Sequence, residues 1–592
     1  MLTSILLSAG LLMSGLPYGS YEPALDSLHA VTITADKGVT ISRSDTLRVI
    51  NSASASDILL QSPGFYVGDN GGLSGLKTVS LRGMGSAHTS IYMDGVRVGN
   101  VQSGQSDLSM LPFENIGSAI VDYAQNSISF KTARPVFGSR SVAGMLRLHA
   151  GSFGTWMPSA RMDFRLSEKA SLSAHVSGVR SKGDYGYGEG LARDNNDLEQ
   201  IRAGLDFFGL AERGDYHIKA YYNASDRGTP GSADWPSDDR QTDRNAFVQA
   251  VLRKKFSKLY TLHLSGKTSY DDIFYSSSWG DSRYEQTEMQ LNSAHDFQIR
   301  DWWKISAAAD IQWDALSSTN YNAFRQTVFS AMASSFRTGR FSADISLEYN
   351  GAYDRNALTR HAFSPSVNLR LRLAEGLDLM AFGRRAYRIP TFNELYYVGY
   401  GNPELKPEDA WLTDIGLDFF RTFSADWAFK ARIDGFNNYL TDKIISAPSA
   451  QDPNIWLPYN IGKVHSYGFD ASAGISHQGD WRYSIDAKYS CSCGRQIPYV
   501  ARHALAVIAD VEWKGWNLYS VWQMRAGRTD ATGSLPDWNT LDVNLVKSFQ
   551  IMKAGCMSLR LSLRNLFDCR YETARGYPMP GRNFITGVEF KF

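Results

Sequence analysis

The chain has 592 residues, with 61 basic and 60 acidic side chains, so its formal net charge is +1. This balance argues against a nucleic-acid-binding protein, which would carry a surplus of basic residues. The apolar fraction of 43% excludes a disordered chain, and four cysteines exclude a disulfide scaffold. Aromatic residues make up 12% of the chain, although its mean hydropathy is -0.29. Beyond the N-terminus no apolar stretch approaches the roughly 20 residues of a membrane-spanning helix.

The N-terminal segment is apolar. Residues 2–16 form an uninterrupted run of mostly Leu, Ile, Ser and Gly, which is too short to span a bilayer as a helix. Its length and position are typical of the apolar region of a secretory signal peptide, although the first lysine is Lys37. The alternative is a buried helix. We predict a signal peptide within residues 1–20 and therefore export of the mature chain into the cell envelope.

Residues 31–143 are rich in Gly and Ser and contain only short apolar runs. Residues 52–60 predict a short helix with Ser or Asp at its start. Short strands are predicted at 78–81, 89–93 and 118–121. Asp94-Gly95 predicts a tight hairpin, because these residue types tolerate the positive φ that such a turn requires. This region therefore predicts a small mixed α/β domain.

From Gly144 to Phe592 helical periodicity is replaced by segments in which apolar and polar residues alternate. In residues 557–564, for example, one Met and three Leu alternate with Ser and Arg. Such alternation predicts strands with one apolar and one polar face. We count 22 of these segments, which start near residues 144, 158, 171, 199, 215, 246, 258, 284, 302, 325, 341, 362, 377, 410, 427, 460, 481, 503, 516, 539, 555 and 582.

The connections between these segments alternate in length. Very short turns are predicted at 257–258 and 338–339, and long polar loops at 184–198, 226–244 and 272–283. Short turns on one side, long loops on the other and an even strand number are typical of an outer-membrane barrel. A β-propeller would show a repeat of roughly 40–50 residues, which we do not find. A row of soluble sandwiches would not maintain length-matched strands with one apolar face over the whole region.

The sequence thus predicts an all-β membrane protein of the bacterial outer membrane. Residues 144–592 form a 22-stranded antiparallel β-barrel, and residues 36–143 form an N-terminal α/β plug domain in its lumen. A lumen of that width needs a plug. Aromatic residues at strand ends are expected to form the girdles at the two membrane surfaces. The candidates are Trp302, Trp303, Tyr321, Tyr396, Tyr397, Trp513 and Trp516.

Six motifs follow one another along this architecture. They are 79–85 (VSLRGMG) with 91–96 (IYMDGV), 107–112 (DLSMLP) with 138–144, 387–396 (YRIPTFNELY), 401–408 (GNPELKPE), 565–568 (NLFD) and 577–582 (YPMPGR). With these motifs the chain resembles the TonB-dependent outer-membrane receptors along essentially its whole mature length. One departure concerns Arg134-Pro135, where the family's R-G-P pattern lacks its glycine. It bears on the path of that plug loop and not on the fold.

The resemblance implies active import of a scarce nutrient, driven by TonB and its energising complex in the inner membrane. It also implies a Ton box at 29–35, whose central residues are Val31, Thr32, Ile33, Thr34 and Ala35. The alternative for this segment is an ordinary first strand of the plug. The terminal Phe592 resembles the aromatic residue by which a last strand is recognised during barrel assembly. No catalytic constellation is found, so we do not expect an enzyme.

In this family ligands contact the apical loops of the plug, here 66–74, 86–89 and 99–105. The candidate ligand-binding residues in or beside these loops are Tyr66, Asp69, Asn70, His88, Asn100 and Gln102. The loops carry one acidic residue and no Arg or Lys, which suits a large, nearly neutral, amide-decorated ligand better than a polyanion.

The closest pattern match is to the cobalamin receptors, through the compact length, the Ser-x-His before the IYMDG segment and the Asn-Pro-x-Leu run. We therefore predict a corrinoid. Ferric siderophores and haem remain alternatives, although 391–401 lacks the histidine of haem receptors. A passive porin is the alternative of a different class, and the plug motifs argue against it.

No cofactor is required for this function. Cobalamin receptors hold structural calcium in acidic loops, and Asp194, Asp197 and Asp226 lie in comparable positions here, where their oxygens suit that ion. A surface-exposed lipoprotein could cap the barrel, since the predicted long loops leave room for one.

Overall fold

The computed structural model describes residues 44–47, 55–112, 115–188, 190–355, 359–449, 456–495, 498–551 and 555–592. The predicted signal peptide and Ton box lie outside the described residues. Within the described part, none of the helices combines the length and apolar character needed to cross a bilayer.

The N-terminal domain is a small α/β unit, as predicted. Its elements are β1 (Ser44–Leu47), α1 (Ala55–Leu59), β2 (Phe65–Asp69), β3 (Lys77–Leu81), β4 (Ser90–Met93), β5 (Val96–Val98), β6 (Ile116–Asp122) and β7 (Ser127–Thr132). Five strands form one sheet in the order β1-β6-β7-β4-β5, and β2 pairs with β3. Single 3-10 turns lie at Ser86–His88 and Leu108–Met110.

The hairpin predicted at Asp94-Gly95 is confirmed. These residues connect β4 to β5 with φ angles of 51° and 87°. Positive φ at both central positions defines the type I′ turn, which matches the twist of the flanking strands. The turn projects the Asp94 carboxylate out of the sheet, towards the wall of the barrel.

The remaining strands follow in chain order, and all belong to the barrel except the loop hairpins β11–β12 and β29–β30. They are β8 (Val142–Gly151), β9 (Thr155–Ser167), β10 (Ala170–Ser181), β11 (Gly186–Tyr187), β12 (Leu191–Ala192), β13 (Leu198–Ala211), β14 (Gly214–Gly231), β15 (Pro236–Lys255), β16 (Tyr260–Ser277), β17 (Gly280–Arg300), β18 (Trp303–Ser318), β19 (Asn322–Arg337), β20 (Phe341–Asp354), β21 (Arg360–Ala374), β22 (Leu377–Arg388), β23 (Glu408–Thr422), β24 (Trp427–Pro448), β25 (Trp456–His477), β26 (Trp481–Arg495), β27 (His503–Trp513), β28 (Trp516–Ala526), β29 (Arg528–Asp530), β30 (Gly533–Leu535), β31 (Trp538–Ile551), β32 (Gly555–Arg564) and β33 (Asn583–Lys591).

Within the described residues, 22 strands close into one antiparallel barrel, which confirms the predicted number. The barrel closes where β33 pairs with β8. At this seam the backbone of Phe592 exchanges two hydrogen bonds with Gly144, of 2.9 and 3.0 Å. The C-terminal aromatic residue therefore ends the strand that completes the wall.

The barrel is apolar outside and polar inside. Along β13, Ile201 and Leu205 are half exposed on the outer face, whereas Arg202 and Asp206 are buried on the inner face. This arrangement is the reverse of that in a soluble protein, and it is stable where lipid covers the outside. The strict alternation read from the sequence is therefore the alternation between lipid and lumen.

Tryptophans mark the end of the barrel that carries the short turns. Trp302 and Trp303 stack on Phe336, and Trp481 stacks on Trp513 with ring centroids 4.8 Å apart. The amphipathic indole ring is suited to the level of the lipid headgroups. These positions agree with the predicted girdle.

The girdle interpretation is wrong for Tyr396 and Tyr397, whereas Tyr321 lies directly before β19. Residues 392–396 do not end a strand but form a short helix, α2 (Phe392–Tyr396), in the loop between β22 and β23 at the opposite end of the barrel. A capping box between Thr391 and Glu394 starts this helix. The Tyr321 ring packs there on those of Tyr396 and Tyr397, with centroids 6.3 and 6.2 Å apart.

Two of the predicted long loops are also wrong. Strands β14 and β15 extend through most of 226–244 and leave only residues 232–235 as a turn, while β16 and β17 leave only 278–279. These strands have 18 to 21 residues, far more than the roughly 9–11 that cross a bilayer. Above the membrane both faces of a strand meet water, so the polar alternation disappears although the ladder of hydrogen bonds continues.

Candidate functional site

The first plug motif supplies a guanidinium group that fastens the plug to the barrel wall. Arg82 follows β3, and its Nη1 and Nη2 atoms lie 2.7 Å from Asp414 and 2.8 Å from Asp470. Asp434 is 4.0 Å from Nη2, and the Arg82 carbonyl accepts a hydrogen bond from Ser466. Strands β23, β24 and β25 thus converge on one plug side chain.

This contact is almost completely buried, since Arg82 is only 4% exposed. Its guanidinium also packs over the rings of Tyr123 and Phe436, at 4.8 and 4.3 Å from their centroids. Carboxylates buried this close together need a counter-charge, because an unpaired ion in the interior is strongly destabilising. Arg82 therefore supplies the positive charge that offsets the mutual repulsion of these three carboxylates.

Asp94, in the turn between β4 and β5, makes the second contact that holds the plug to the barrel wall. Its carboxylate accepts hydrogen bonds from the Thr132 amide at 2.7 Å and hydroxyl at 2.6 Å, and it lies 3.0 Å from Lys219 Nζ. Lys219 also approaches Asp206, at 3.4 Å. Burial by itself raises the pKa of Asp94, but Lys219, His217 and the Thr132 hydrogen bonds outweigh it and hold that pKa well below its ordinary range.

We expect the contribution of Asp94 to the stability of the plug to depend on pH. A carboxylate whose pKa is lower in the folded than in the unfolded state stabilises the folded protein at pH values above its unfolded pKa of about 3.9. This stabilisation is lost as the pH falls below that value. The Asp94→Asn variant keeps a residue that tolerates the positive φ but removes the charge. At neutral pH it should lower the free energy of plug opening by about 2 kcal/mol.

Hydrogen exchange of the plug amides in the detergent-purified protein measures this free energy. The difference between the wild-type protein and Asp94→Asn should shrink as the pH is lowered through about 4. Thr46→Ser, a change in β1 of the same plug sheet, serves as the control, with the same pH dependence as the wild-type protein. A difference that stays constant down to pH 3 would contradict the role of the carboxylate charge.

A third contact between plug and barrel lies at the extracellular end and involves residues of three motifs. His88 Nε2 contacts the carboxylate of Glu408, the last residue of the GNPELKPE segment. Glu408 also binds Arg388, whose guanidinium forms two further hydrogen bonds to Glu394, of 2.9 and 3.0 Å. His88 was predicted to contact ligand, and in this conformation its ring is held by the barrel. Ligand contact by His88 stays a prediction.

The apical loop after β2 is closed by Asp69. Its Oδ1 atom accepts hydrogen bonds from the Gly71 and Gly72 amides, and Oδ2 lies 2.9 Å from Lys77 Nζ. The only acidic group of the predicted ligand loops is therefore neutralised within the plug. Asn70, beside it, is half-buried, and its backbone N–H donates to the Leu76 carbonyl.

The start of the same loop contacts two connections of the barrel, between β26 and β27 and between β32 and β33. The Tyr66 ring stacks on Tyr499 at 6.2 Å, and its hydroxyl lies 3.4 Å from the Thr573 carbonyl. Thr573 Oγ1 in turn donates to the carbonyl of Asp69 at 2.6 Å. Tyr66 and Asp69 thus lie in one contact between plug and barrel.

Asn100 and Gln102 lie at a different contact, next to α2. The Asn100 side chain accepts a hydrogen bond from the Ser103 amide, and the buried Gln102 offers its carbonyl to the Asn393 amide at 3.0 Å. The six predicted ligand residues are therefore spread over three plug loops and do not form one cluster. Whether they bind ligand stays a prediction.

Guanidinium groups on the wall near the plug apex are mostly engaged within the protein. Arg227 binds Asp107 at 3.2 Å and Asp243 at 3.4 Å, and Arg360 binds Asp354 at 3.1 Å. Because these charges already have carboxylate partners, they do not offer a cationic surface to a polyanionic ligand.

The three aspartates predicted to bind calcium do not form a set of ligands in this conformation. Asp197 and Asp226 both contact Arg240, whereas Asp194 is exposed. The hydrogen bond from Arg240 lowers the pKa of Asp197. Among the described residues no group of three His, Cys, Asp or Glu side chains is arranged to hold a metal ion. Calcium binding stays a prediction, and it would require Arg240 to leave.

Comparison with known proteins agrees with this geometry. The model of the family "TonB dependent receptor-like, beta-barrel" matches residues 149–566, and that of the "TonB-dependent Receptor Plug Domain" matches residues 32–135. The Vitamin B12 transporter BtuB of Vibrio vulnificus (strain YJ016) is 21% identical over 92% of this chain and 90% of its own length.

Two solved structures share the fold. The copper transporter OprC superimposes with a TM-score of 0.77 at 16% identity, over 94% of this chain and 100% of its own. The siderophore receptor PirA from Acinetobacter baumannii gives a TM-score of 0.73 at 14% identity, over 93% of this chain and 98% of its own. The plug, the closed barrel and the two family matches identify this chain as a member of the TonB-dependent receptors, which are transporters of the outer membrane of Gram-negative bacteria.

Proposed function

We propose that this TonB-dependent transporter imports a corrinoid of the vitamin B12 type. The observation that carries the proposal is the similarity to the Vibrio vulnificus vitamin B12 transporter, which extends over 92% of the chain and so includes both plug and barrel. The likeness to the copper transporter and to the siderophore receptor, at 16% and 14% identity, concerns the fold alone.

The pairing of Asp69, Arg227 and Arg360 supports a cargo of low net charge. Asp69, the one acidic residue of the three apical loops, is paired with Lys77, and Arg227 and Arg360 on the wall are paired with carboxylates. A ferric siderophore with several negative charges would be captured best by unpaired cations. Amides on the rim of a corrinoid can instead exchange hydrogen bonds with the carbonyl and amide groups of these loops.

Residues 29–35 form the Ton box in this proposal. A short β-prone segment can add to an exposed sheet edge of TonB through main-chain hydrogen bonds. Energy must come from such a partner, because a tightly bound cargo dissociates slowly and the outer membrane holds no ATP. The chain that follows enters the plug at β1, where Asp45 lies 2.9 Å from Arg432 of the barrel. A lipoprotein cap and structural calcium remain predictions.

Ligand binding to the detergent-purified protein tests the cargo. We expect cyanocobalamin to bind with a Kd in the nanomolar range, about -12 kcal/mol, as suits capture of a scarce nutrient. Haem and a panel of ferric siderophores should bind at least a hundredfold more weakly. Isothermal titration calorimetry measures all of these ligands under the same conditions.

The outcome against corrinoid transport is clear-cut. If no corrinoid binds at micromolar concentration and one of the siderophores or haem does, the chain is a TonB-dependent transporter of that ligand instead. Uptake of a small hydrophilic solute by passive diffusion, independent of TonB, would favour a porin.

A further inference from the structure

Buried guanidinium groups in the lumen generally have carboxylate partners. Arg82 lies 2.7 Å from Asp414, Arg325 lies 2.6 Å from Asp354, and Arg388 lies 2.9 Å from Glu394. Pairing is the expected arrangement, because a desolvated charge without a counter-charge is unfavourable. Arg525 and Arg528, which lie over the same indole ring, depart from it.

Arg525, at the end of β28, and Arg528, at the start of β29, are 6% and 3% exposed. Arg525 donates only to the carbonyls of Met524 and Leu505, at 3.0 and 3.4 Å. Arg528 likewise donates only to backbone carbonyls. No carboxylate of the described residues comes within 4.0 Å of either guanidinium group, so two buried positive charges lie together without an ion-pair partner.

The indole N–H of Trp538, the side chain between them, lacks a hydrogen-bond acceptor among the described residues. Trp538 pairs directly with Arg525 across β28 and β31, and both face the lumen. Both guanidinium groups lie over its ring, at 5.7 and 5.9 Å from the centroid, which compensates their charge only in part. Trp538 Nε1 and Arg528 Nε are buried donors without an acceptor among the described residues.

This cluster lies beside the plug loop that was predicted to bind ligand. Arg528 donates to the carbonyl of Glu572 at 2.7 Å and lies 3.4 Å from that of Thr573. Thr573 contacts Asp69, and the Tyr499 amide donates to the Thr529 carbonyl while its ring stacks on Tyr66. The two arginines are therefore next to the plug apex at the extracellular end of the lumen.

We propose that Arg525, Arg528 and Trp538 form a subsite for one anionic oxygen group of the cargo, such as a phosphodiester or a carboxylate. An anionic oxygen would supply the missing counter-charge, accept a hydrogen bond from the indole, and take over hydrogen bonds that Arg528 now gives to backbone carbonyls. The inference rests on the proposed function, since a complete corrinoid is neutral around its ring but carries a single phosphodiester in its nucleotide loop.

A matched pair of ligands tests the subsite. Cyanocobalamin has the phosphodiester, whereas dicyanocobinamide lacks the nucleotide and its phosphate. In the full-length protein, Arg525→Gln should weaken cyanocobalamin binding by about 10- to 100-fold, the effect of losing a charge-assisted hydrogen bond. It should leave dicyanocobinamide binding within about twofold. The Arg582→Gln variant, which alters an exposed arginine, should bind both ligands like the wild-type protein.

Equal weakening of both ligands, or of neither, would overturn the subsite. If the wild-type protein binds no corrinoid, the proposed function fails, and the subsite is then tested with inorganic phosphate alone. Phosphate should raise the unfolding temperature of the wild-type protein above its value in chloride at equal ionic strength, and Arg525→Gln should remove this increase. The same response in both proteins would refute an anion subsite.

Discussion

Deletion of residues 29–35 should abolish transport and leave cargo binding unchanged. These residues precede the plug in the sequence, and its first described strand starts at Ser44. In the proposed function the partner pulls on this segment during transport, whereas the cargo binds at the extracellular end of the lumen. Uptake of radiolabelled cyanocobalamin by whole cells should fall to background, while the Kd of the purified protein stays within about twofold.

A pair of point variants distinguishes strand addition from a general effect of the deletion. Ile33→Pro removes a main-chain donor and should abolish uptake, because an added strand is held by such hydrogen bonds. Ile33→Val keeps the donor and the β propensity, so uptake should remain. Transport that persists in the deletion variant, with the barrel assembled in the outer membrane, would contradict the assignment of the Ton box.

Arg82→Met should loosen the plug more than any other single substitution considered for this protein. It removes the cation at the centre of Asp414, Asp434 and Asp470 and leaves their carboxylates buried together. Breaking a buried charge contact by removing one partner costs about 3–5 kcal/mol. Amides in the plug should then exchange roughly 100-fold faster or more, since each 1.4 kcal/mol is a factor of ten.

Two further proteins make this result interpretable. Arg582→Met alters a guanidinium that is 4.0 Å from Asp568 and more than half exposed, so plug exchange should not change. Combining Arg82→Met with Asn at 414, 434 and 470 removes the repulsion and should restore much of the protection. If Arg82→Met exchanges like the wild-type protein, the buried contact does not hold the plug.

The contacts between plug and barrel wall explain what several of the sequence motifs do in the structure. Arg82 belongs to VSLRGMG, Asp94 to IYMDGV and Glu408 to GNPELKPE, and each makes a contact between plug and wall. Arg388, in YRIPTFNELY, binds Glu408 from within the barrel. Because these contacts hold the plug in the barrel, the motifs identify a plugged transporter.

The barrel could be predicted from the amino-acid sequence alone. Most strand starts agree with the predicted positions to within a few residues: β20, β22, β24, β26, β27, β28 and β32 begin at the predicted residue, whereas β15 begins at Pro236 instead of near 246. The physical reason is local, because successive side chains of a strand point to lipid and lumen in turn. Wherever lipid covers one face of a strand, apolar and polar residues therefore alternate along the sequence.

Contacts between residues distant in the sequence could not be predicted and are seen only in the folded chain. Strands β14 to β17 continue above the bilayer, where water on both faces removes the alternation, so their ends were misread as loops. The rings of Tyr396 and Tyr397 are brought against that of Tyr321 by the helix α2. Asp94 and Lys219, or Arg525 and Trp538, become partners only when the barrel closes around its plug, because pairing of buried charges depends on distance in space and not on sequence.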